Sequence, residues 1–425
     1  MSELPKLSVH RVEARGALAW LRSASPQARR ALVAASLGWM LDSFDVMLYS
    51  LVLASLMSDL GLSKETAGVL GSISLISAAV GGIAFGIFAD RYGRTRALMT
   101  SMLLYAISTA ACGFAHSRIQ LAVCRTFVGF GMGGEWASGA ALVSETWPDE
   151  HRGKALGLMQ SSWAVGYALA ALTAALVMPL GGWRAVFFVG VLPAFVTLWI
   201  RRGVREPRAW REVQSALKPT AHNVTEIFKG KLLKLTLVIT LMNSCTLFAW
   251  WGFNVWVPAY LSLPVPQGGL GLSVRAMTAL VVVMQVGMWC GYITFGSLSD
   301  AVGRKRTYVA FLLAAAMLMV AYSTTRLTLV LFLLGPFVAF FGTGYYTGFG
   351  TVTAEIYRTQ VRATAQGFTY NVGRIASAAA PFAVGSLAQR HGFGIAFQLA
   401  ALAFVFAAAL WIWIPETRGW RLDQS

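Results

Sequence analysis

The chain has 425 residues and carries 35 Lys and Arg against 18 Asp and Glu, a net charge of +17. Charged residues nevertheless make up only 12% and apolar residues 56%, about half the charge of a soluble domain, which holds roughly 25%. Together with a mean hydropathy of +0.61, this excludes a soluble globular protein, a disordered chain, a collagen-like repeat and a disulfide scaffold, and leaves a polytopic membrane protein. The four cysteines, Cys112, Cys124, Cys245 and Cys290, sit in apolar stretches without CxxC spacing and read as buried free thiols. None of the histidines (His10, His116, His151, His222, His391) lies inside an apolar segment, and no GxSxG, HExxH or Walker loop occurs. The expectation is therefore no metal site, no cofactor and no enzyme.

In chain order, residues 1–30 form a polar, basic segment holding Lys6, Arg11, Arg15, Arg22, Arg29 and Arg30. Apolar runs follow, and a spanning helix needs about 20 residues of them. Twelve are expected, near 31–57, 66–89, 97–116, 119–144, 154–179, 184–201, 235–261, 275–299, 307–323, 327–353, 364–388 and 395–414. The first is too long, and lacks the small-residue cleavage site, to be a removable signal peptide. The organisation is a six-helix bundle at 31–201, a polar connector at 202–234, a second six-helix bundle at 235–414 and a tail at 415–425. The fold class expected is an all-α membrane protein of twelve transmembrane helices in two bundles.

The basic residues set the orientation. With the N-terminus inside, the inner segments hold 27 Lys and Arg and the outer loops six: Lys64, Arg118, Arg184, Arg275, Arg326 and Arg390. That bias places both termini in the cytoplasm. It also accounts for the basic charge without any nucleic acid.

A repeat runs through the chain at an offset of 210. Gly86-x3-Asp90-Arg91-Tyr92-Gly93-Arg94-Thr95-Arg96 recurs as Gly296-x3-Asp300-Ala301-Val302-Gly303-Arg304-Lys305-Arg306. Glu145-x6-Arg152 recurs as Glu355-x6-Arg362, Gly182 as Gly392, Phe187 as Phe397, and Glu206-x-Arg208-x-Trp210 as Glu416-x-Arg418-x-Trp420. Chance does not supply four such matches at one offset, so the halves are parallel repeats.

On these residues the chain resembles a major facilitator superfamily transporter over nearly its whole length. The resemblance implies two halves about an axis along the membrane normal, with a site between them near the midplane. Ala301 departs from the motif, standing where the first copy has Arg91. The loop glycines permit tight turns. Asp90, Glu145, Asp300 and Glu355 can pair with Arg94, Arg152, Arg304 and Arg362. Inner charge clusters that latch the halves are one reading; anchoring of topology by the basic loops alone is the other.

Charges near the bilayer centre cost at least ~2.5–3.5 kcal/mol and so mark candidate function. They are Asp42 and Asp45 in span 1, Arg125 and Glu135 in span 4, and Arg374 in span 11. Asp42 and Asp45 share one helix face. A carboxyl whose Arg partner leaves during transport would load and release protons. Asp45 or Glu135 is thus the candidate carrier and Arg125 its partner, against the alternative of a static ion pair. Arg374 stays charged. It is expected to take a substrate carboxylate through two parallel hydrogen bonds, or else to pair with an acid of the first half.

Leu41-Asp42-Ser43-Phe44-Asp45 resembles span 1 of proton symporters for aromatic acids and for sialate or lactate. Arg125-x3-Gly129-x-Gly131-x-Gly133-Gly134-Glu135-Trp136 resembles span 4 of metabolite:proton symporters. The resemblance implies that Asp42, Asp45, Arg125 and Glu135 are functional. Further cavity candidates at mid-depth are Gln160, Trp163, Asn243, Trp250, Asn254, Gln285, Tyr345, Tyr346, Tyr370 and Asn371, each equally able to bridge helices. The expected function is proton-coupled import of an organic acid by alternating access. The rivals are a sugar or polyol symporter and a drug:proton antiporter. The proton gradient supplies the energy, and the partners are the organic acid, protons and lipid. The setting is the inner membrane of a bacterium, and the chain is expected to act as a monomer.

Overall fold

The computed structural model describes residues 19–203 and 224–418. The second copy's Trp420, and Glu206, Arg208 and Trp210 of the first, lie outside the described residues. A short helix, Ala19–Ser23, precedes the first span. Span 1 runs Pro26–Leu60, starting earlier than the hydropathy suggested. The reason is local: the Ser25 hydroxyl accepts from Ala28 N–H, Pro26 supplies a ready first-turn φ, and Gly61 closes the helix at φ 61°.

Spans 2, 3 and 4 are Lys64–Tyr92, Arg94–Cys112 and Arg118–Thr146. Spans 5 and 6 run through Asp149–Val189 and Leu192–Gly203, with the chain turning at Gly182. After a 3-10 turn at Val224–Phe228, spans 7, 8 and 9 are Gly230–Ser262, Val274–Val302 and Arg304–Thr324. Span 10 comprises Thr328–Thr343, a 3-10 turn at Gly344–Gly348, and Phe349–Ile356. Span 11 is split into Thr359–Ser377 and Ala380–His391, and Phe393–Leu410 is span 12. The split follows from Pro381, which has no N–H to continue the ladder and clashes with the carbonyl four residues back.

Among the described residues, eight stretches of helix are long and apolar enough to cross a bilayer on their own. One of them, His151–Thr197, contains both span 5 and part of span 6. Spans 3, 4 and 11 fall outside that set; spans 4 and 11 are the ones that carry Arg125, Glu135 and Arg374. The protein is thus an all-α membrane protein of twelve helices in two six-helix bundles.

The repeat is written into the backbone. Gly93 and Gly303 turn spans 2 and 8 into spans 3 and 9 at φ 113° and 118°, where a side chain would strain. Ser63 and Ser273 cap spans 2 and 8 alike. A Cβ on Gly81 would overlap the Phe130 carbonyl oxygen, and one on Gly291, 210 residues later, the Phe340 carbonyl oxygen. In the first half, Gly129 and Gly133 abut backbone carbonyls of span 2 while Gly131 abuts span 3. Span 4 is therefore threaded between two neighbours at backbone contact, as small residues allow. The halves meet where span 1 packs on span 7, span 2 on span 11 and span 5 on span 8. The turns at Gly93 and Gly303 share one end of the molecule, the connector face, with the 3-10 turn Val224–Phe228 that leads into span 7.

Candidate functional site: a cavity between the halves

The halves enclose a cavity at mid-depth, about 30 Å³ at its centre, walled by Trp39, Trp163, Trp250, Trp251, Tyr292, Tyr346 and Tyr370. Met132, Gln160, Asn254 and Arg374 complete the lining. It continues toward the connector face as a wider space of about 120 Å³, lined by Gln160, Asn243, Tyr346, Phe349, Gly350, Thr353, Gln366, Thr369 and Tyr370. Trp39 and Trp163 pack with ring centroids 4.6 Å apart, and Trp163 meets Trp251 edge-on at 6.0 Å. The Ser43 hydroxyl donates to the Trp163 carbonyl at 2.8 Å and fixes span 1 against span 5 beside this wall. Asn254 donates to Met47 Sδ at 3.5 Å across the two halves.

Arg374 is 5% exposed. Among the described residues its guanidinium is in no ion pair, and it faces the aromatic wall. Of the acids, Asp42 is the one whose charge bears on it. Five N–H donors facing a wall of aromatic rings form a ready receptor for a planar anion.

The three carboxyls lie behind the wall instead of in it. Asp42, Asp45 and Glu135 are fully buried and none lines the cavity. Among the described residues their carboxyl oxygens have no hydrogen-bond partner. Trp39 precedes Asp42 by three residues and Met132 precedes Glu135 by three, so each acid sits one turn beyond a lining side chain. The Glu135 carboxyl fills the slot left by Gly38 of span 1, where a Cβ would overlap Oε1. Gly38 is one turn before Asp42, so Glu135 and Asp42 are neighbours. Asp45 feels Asp42 on one side and Arg125 on the other, with Thr109 alongside. Tyr105 of span 3 is within the field of all three acids.

A line of charge thus runs from Arg374 through Asp42, with Glu135 beside it, to Asp45 and Arg125. Arg125 is 3% exposed and lies over the Tyr49 ring, 4.3 Å from its centroid. It makes no ion pair among the described residues. The Tyr49 hydroxyl donates to the Ala67 carbonyl of span 2 at 2.7 Å.

The structure separates the other candidates. Gln160, Trp163, Asn254, Tyr346 and Tyr370 line the cavity centre with Arg374, and Asn243 lines its extension. Gln285 and Asn371 are turned onto their own helices: Gln285 Nε2 donates to Val281 O at 3.3 Å and Asn371 Nδ2 to Gly367 O at 2.8 Å. Trp39, Met132, Trp251 and Tyr292 line the cavity without having been singled out by the sequence. For Trp39 and Met132 the signal was available, since each stands three residues before a buried acid.

At the connector face, Arg304 binds Glu355 through Nη2 at 3.0 Å and Ser299 Oγ through Nη1 at 2.8 Å, and it also contacts Asp300. Thr417 donates to Glu355, and Glu416 accepts from Arg304 N–H at 2.8 Å. All these partners belong to the second half. Gly303 provides the turn that brings them together. In the first copy, Arg91 lies against the Tyr92 ring at 5.6 Å and Gly93 makes the matching turn. The side chains of Asp90, Arg94, Glu145 and Arg362 lie outside the described residues, and Arg152 has a partner.

Two parallel six-helix repeats with a cavity at their interface define a membrane transporter, and the comparisons agree. The Major Facilitator Superfamily model matches residues 35–265 and again 261–425. The chain belongs to that superfamily, one match covering each half. It is 36% identical over 420 residues to a probable 4-methylmuconolactone transporter of Cupriavidus pinatubonensis, covering 96% of this chain and 95% of that one. It is 33% identical over 391 residues to a cis,cis-muconate transport protein of Acinetobacter baylyi, covering 89% and 92%. A solved D-xylose–proton symporter superposes with a TM-score of 0.75 at 19% identity, covering 92% of this chain and 98% of that one, which shows the shared fold. The protein is a multi-pass membrane transporter and not an enzyme.

Proposed function

We propose that this transporter moves a carboxylate-bearing organic acid together with protons by alternating access, in the inner membrane of a bacterium, with both termini cytoplasmic. One observation carries the reading: Arg374 is a buried cation without an ion pair among the described residues, and it lines a cavity walled by aromatic rings. A carboxylate supplies the missing charge, and a flat, apolar body suits the rings. The muconate transported by the relative from Acinetobacter baylyi supports this class of substrate.

Proton coupling draws on the adjoining acids. Asp42 feels Arg374, so the charge state of the acids and the occupancy of the arginine are linked through space. Substrate arriving at Arg374 neutralises it and withdraws a positive charge from Asp42, which favours proton uptake there. The Asp45, Glu135 and Arg125 groups extend this link into the first half. With the connector face cytoplasmic, the cavity extends toward the inner side in this conformation.

The test is uptake into proteoliposomes under an imposed inward proton gradient, with cis,cis-muconate, benzoate and glucose offered in turn. Gradient-driven accumulation of an acid but not of glucose is the expected result. Accumulation of glucose alone would replace the reading with a sugar symporter.

A further inference from the structure

We infer that Lys64 is a one-sided latch that holds the face opposite the connector closed; this rests on the alternating-access reading. Lys64 is the first residue of span 2 and is 8% exposed, an unusual place for an ammonium at the rim of a membrane protein. Its Nζ donates to Gln267 O at 2.7 Å and Ala388 O at 3.3 Å. It also lies 5.1 Å above the centroid of the Phe393 ring. Its own N–H donates to Gln389 Oε1 at 3.2 Å. Every one of these partners is in the second half, and no carboxylate pairs with it among the described residues.

The electrostatics favour this position for a cation only while the halves are together. At the N-terminus of its own helix, the ammonium sits at the positive end of the dipole. Ala388 is in the last turn of the outer piece of span 11, at the negative end of that helix's dipole, and its carbonyl also accepts from the Gly392 N–H at 3.1 Å. Docking on span 11 thus offsets the unfavourable end of its own helix with the favourable end of another.

The clasp sits at the top of a seam with a four-residue step. A Cβ on Gly68 would come within 2.5 Å of Pro381 O, and one on Gly385 within 2.6 Å of Lys64 O. Below them Ser72 Oγ accepts from Phe382 N–H at 3.3 Å. Small residues bring the two backbones into contact, and the lysine closes the end.

The other seam is built differently. Shifting by 210 converts Gly68 and Pro381 into Thr278 and Ala171, and there the Thr278 hydroxyl donates to Ala171 O at 3.2 Å. The same shift converts Lys64 into Val274, which has no donor to offer. Spans 5 and 8 are held by a hydroxyl, and spans 2 and 11 by an ammonium. The latch therefore acts on one seam.

Hydrogen–deuterium exchange on the full chain in lipid nanodiscs tests this without any substrate. Lys64→Met keeps the length of the side chain and removes its donors. Loss of a hydrogen-bonded charge should raise exchange about tenfold in peptides covering 64–72 and 381–391. Lys64→Arg, which can still reach two carbonyls, should stay near wild type. Gln389→Ala, which loses one bond and no charge, should raise exchange in the same peptides by less; it serves if Lys64→Met does not fold. Unchanged exchange at these peptides in folded Lys64→Met, or a rise spread evenly over the chain, would overturn the latch. The alternating-access reading is judged separately, by uptake: a loosened outer seam should lower both KM and the maximal rate. A local rise in exchange with unchanged uptake would support the latch and refute that reading.

Discussion

Replacing Tyr49 with leucine removes the ring on which the buried Arg125 guanidinium rests. That ring is 4.3 Å from the guanidinium carbon, and Arg125 is 3% exposed with its Nε lacking an acceptor. A desolvated cation–π contact contributes about 2 kcal/mol or more. The Tyr49 hydroxyl adds one hydrogen bond, to Ala67 O at 2.7 Å, which contributes about 1 kcal/mol. Tyr49→Phe forfeits only the hydrogen bond, whereas Tyr49→Leu forfeits both, so the two losses should stand near ~1 and ~3 kcal/mol. Thermal melting in detergent should rank wild type, Phe and Leu in that order, with the larger step between Phe and Leu. Adding Arg125→Met to each background closes a double-mutant cycle, in which Tyr49→Leu should show a coupling of about 2 kcal/mol and Tyr49→Phe almost none. Equal melting of the Phe and Leu variants, or a vanishing coupling for leucine, would refute the idea that the ring holds the arginine.

Other consequences are equally open to measurement. Glu355→Ala should destabilise the connector-face cluster by about 1.5–3 kcal/mol, because Arg304 and Glu355 side chains are only 12% and 10% exposed and Arg304 keeps Asp300 and Ser299 but loses its buried carboxylate; Arg304→Met with Glu355→Leu should recover much of the folded yield in size-exclusion chromatography. Gly38→Ala should displace the Glu135 carboxyl and cut uptake severalfold at normal membrane levels, while Gly157→Ala, whose Cβ meets open space, should leave uptake unchanged. Equal uptake in the two would remove Glu135 from the account. Asp45→Asn should abolish accumulation driven by a proton gradient yet preserve exchange of labelled for unlabelled acid; loss of both would assign Asp45 to substrate handling or folding instead.

The architecture was legible because its signals are local or periodic. Apolar length marks a span, and the 210-residue repeat appears again as paired glycine turns at Gly93 and Gly303. The five intramembrane charges stood out because the bilayer penalises any charge without a purpose. The cavity wall was harder to read. A tryptophan facing lipid and one facing a cavity have the same sequence signature, so Trp251 and Tyr292 became visible only through the neighbours they face. Gln285 and Asn371 looked like cavity groups by depth, but an amide on a helix can reach its own carbonyl four residues back, and both do. The break in span 11 was written in Pro381 and hidden by the continuous apolar run around it. Lys64 counted as one more outer-loop cation; its role depends on the end of span 11, more than 300 residues away.

The claim at the centre is that Arg374 receives the carboxylate. Equilibrium binding to purified protein, with labelled benzoate and neutral benzamide as the paired probes, tests it directly. Two charge-assisted hydrogen bonds predict that Arg374→Ala weakens benzoate binding by roughly ten- to a hundredfold, leaves benzamide binding little changed, and that Arg374→Lys falls between. Benzoate binding equal in wild type and Arg374→Ala would contradict the account.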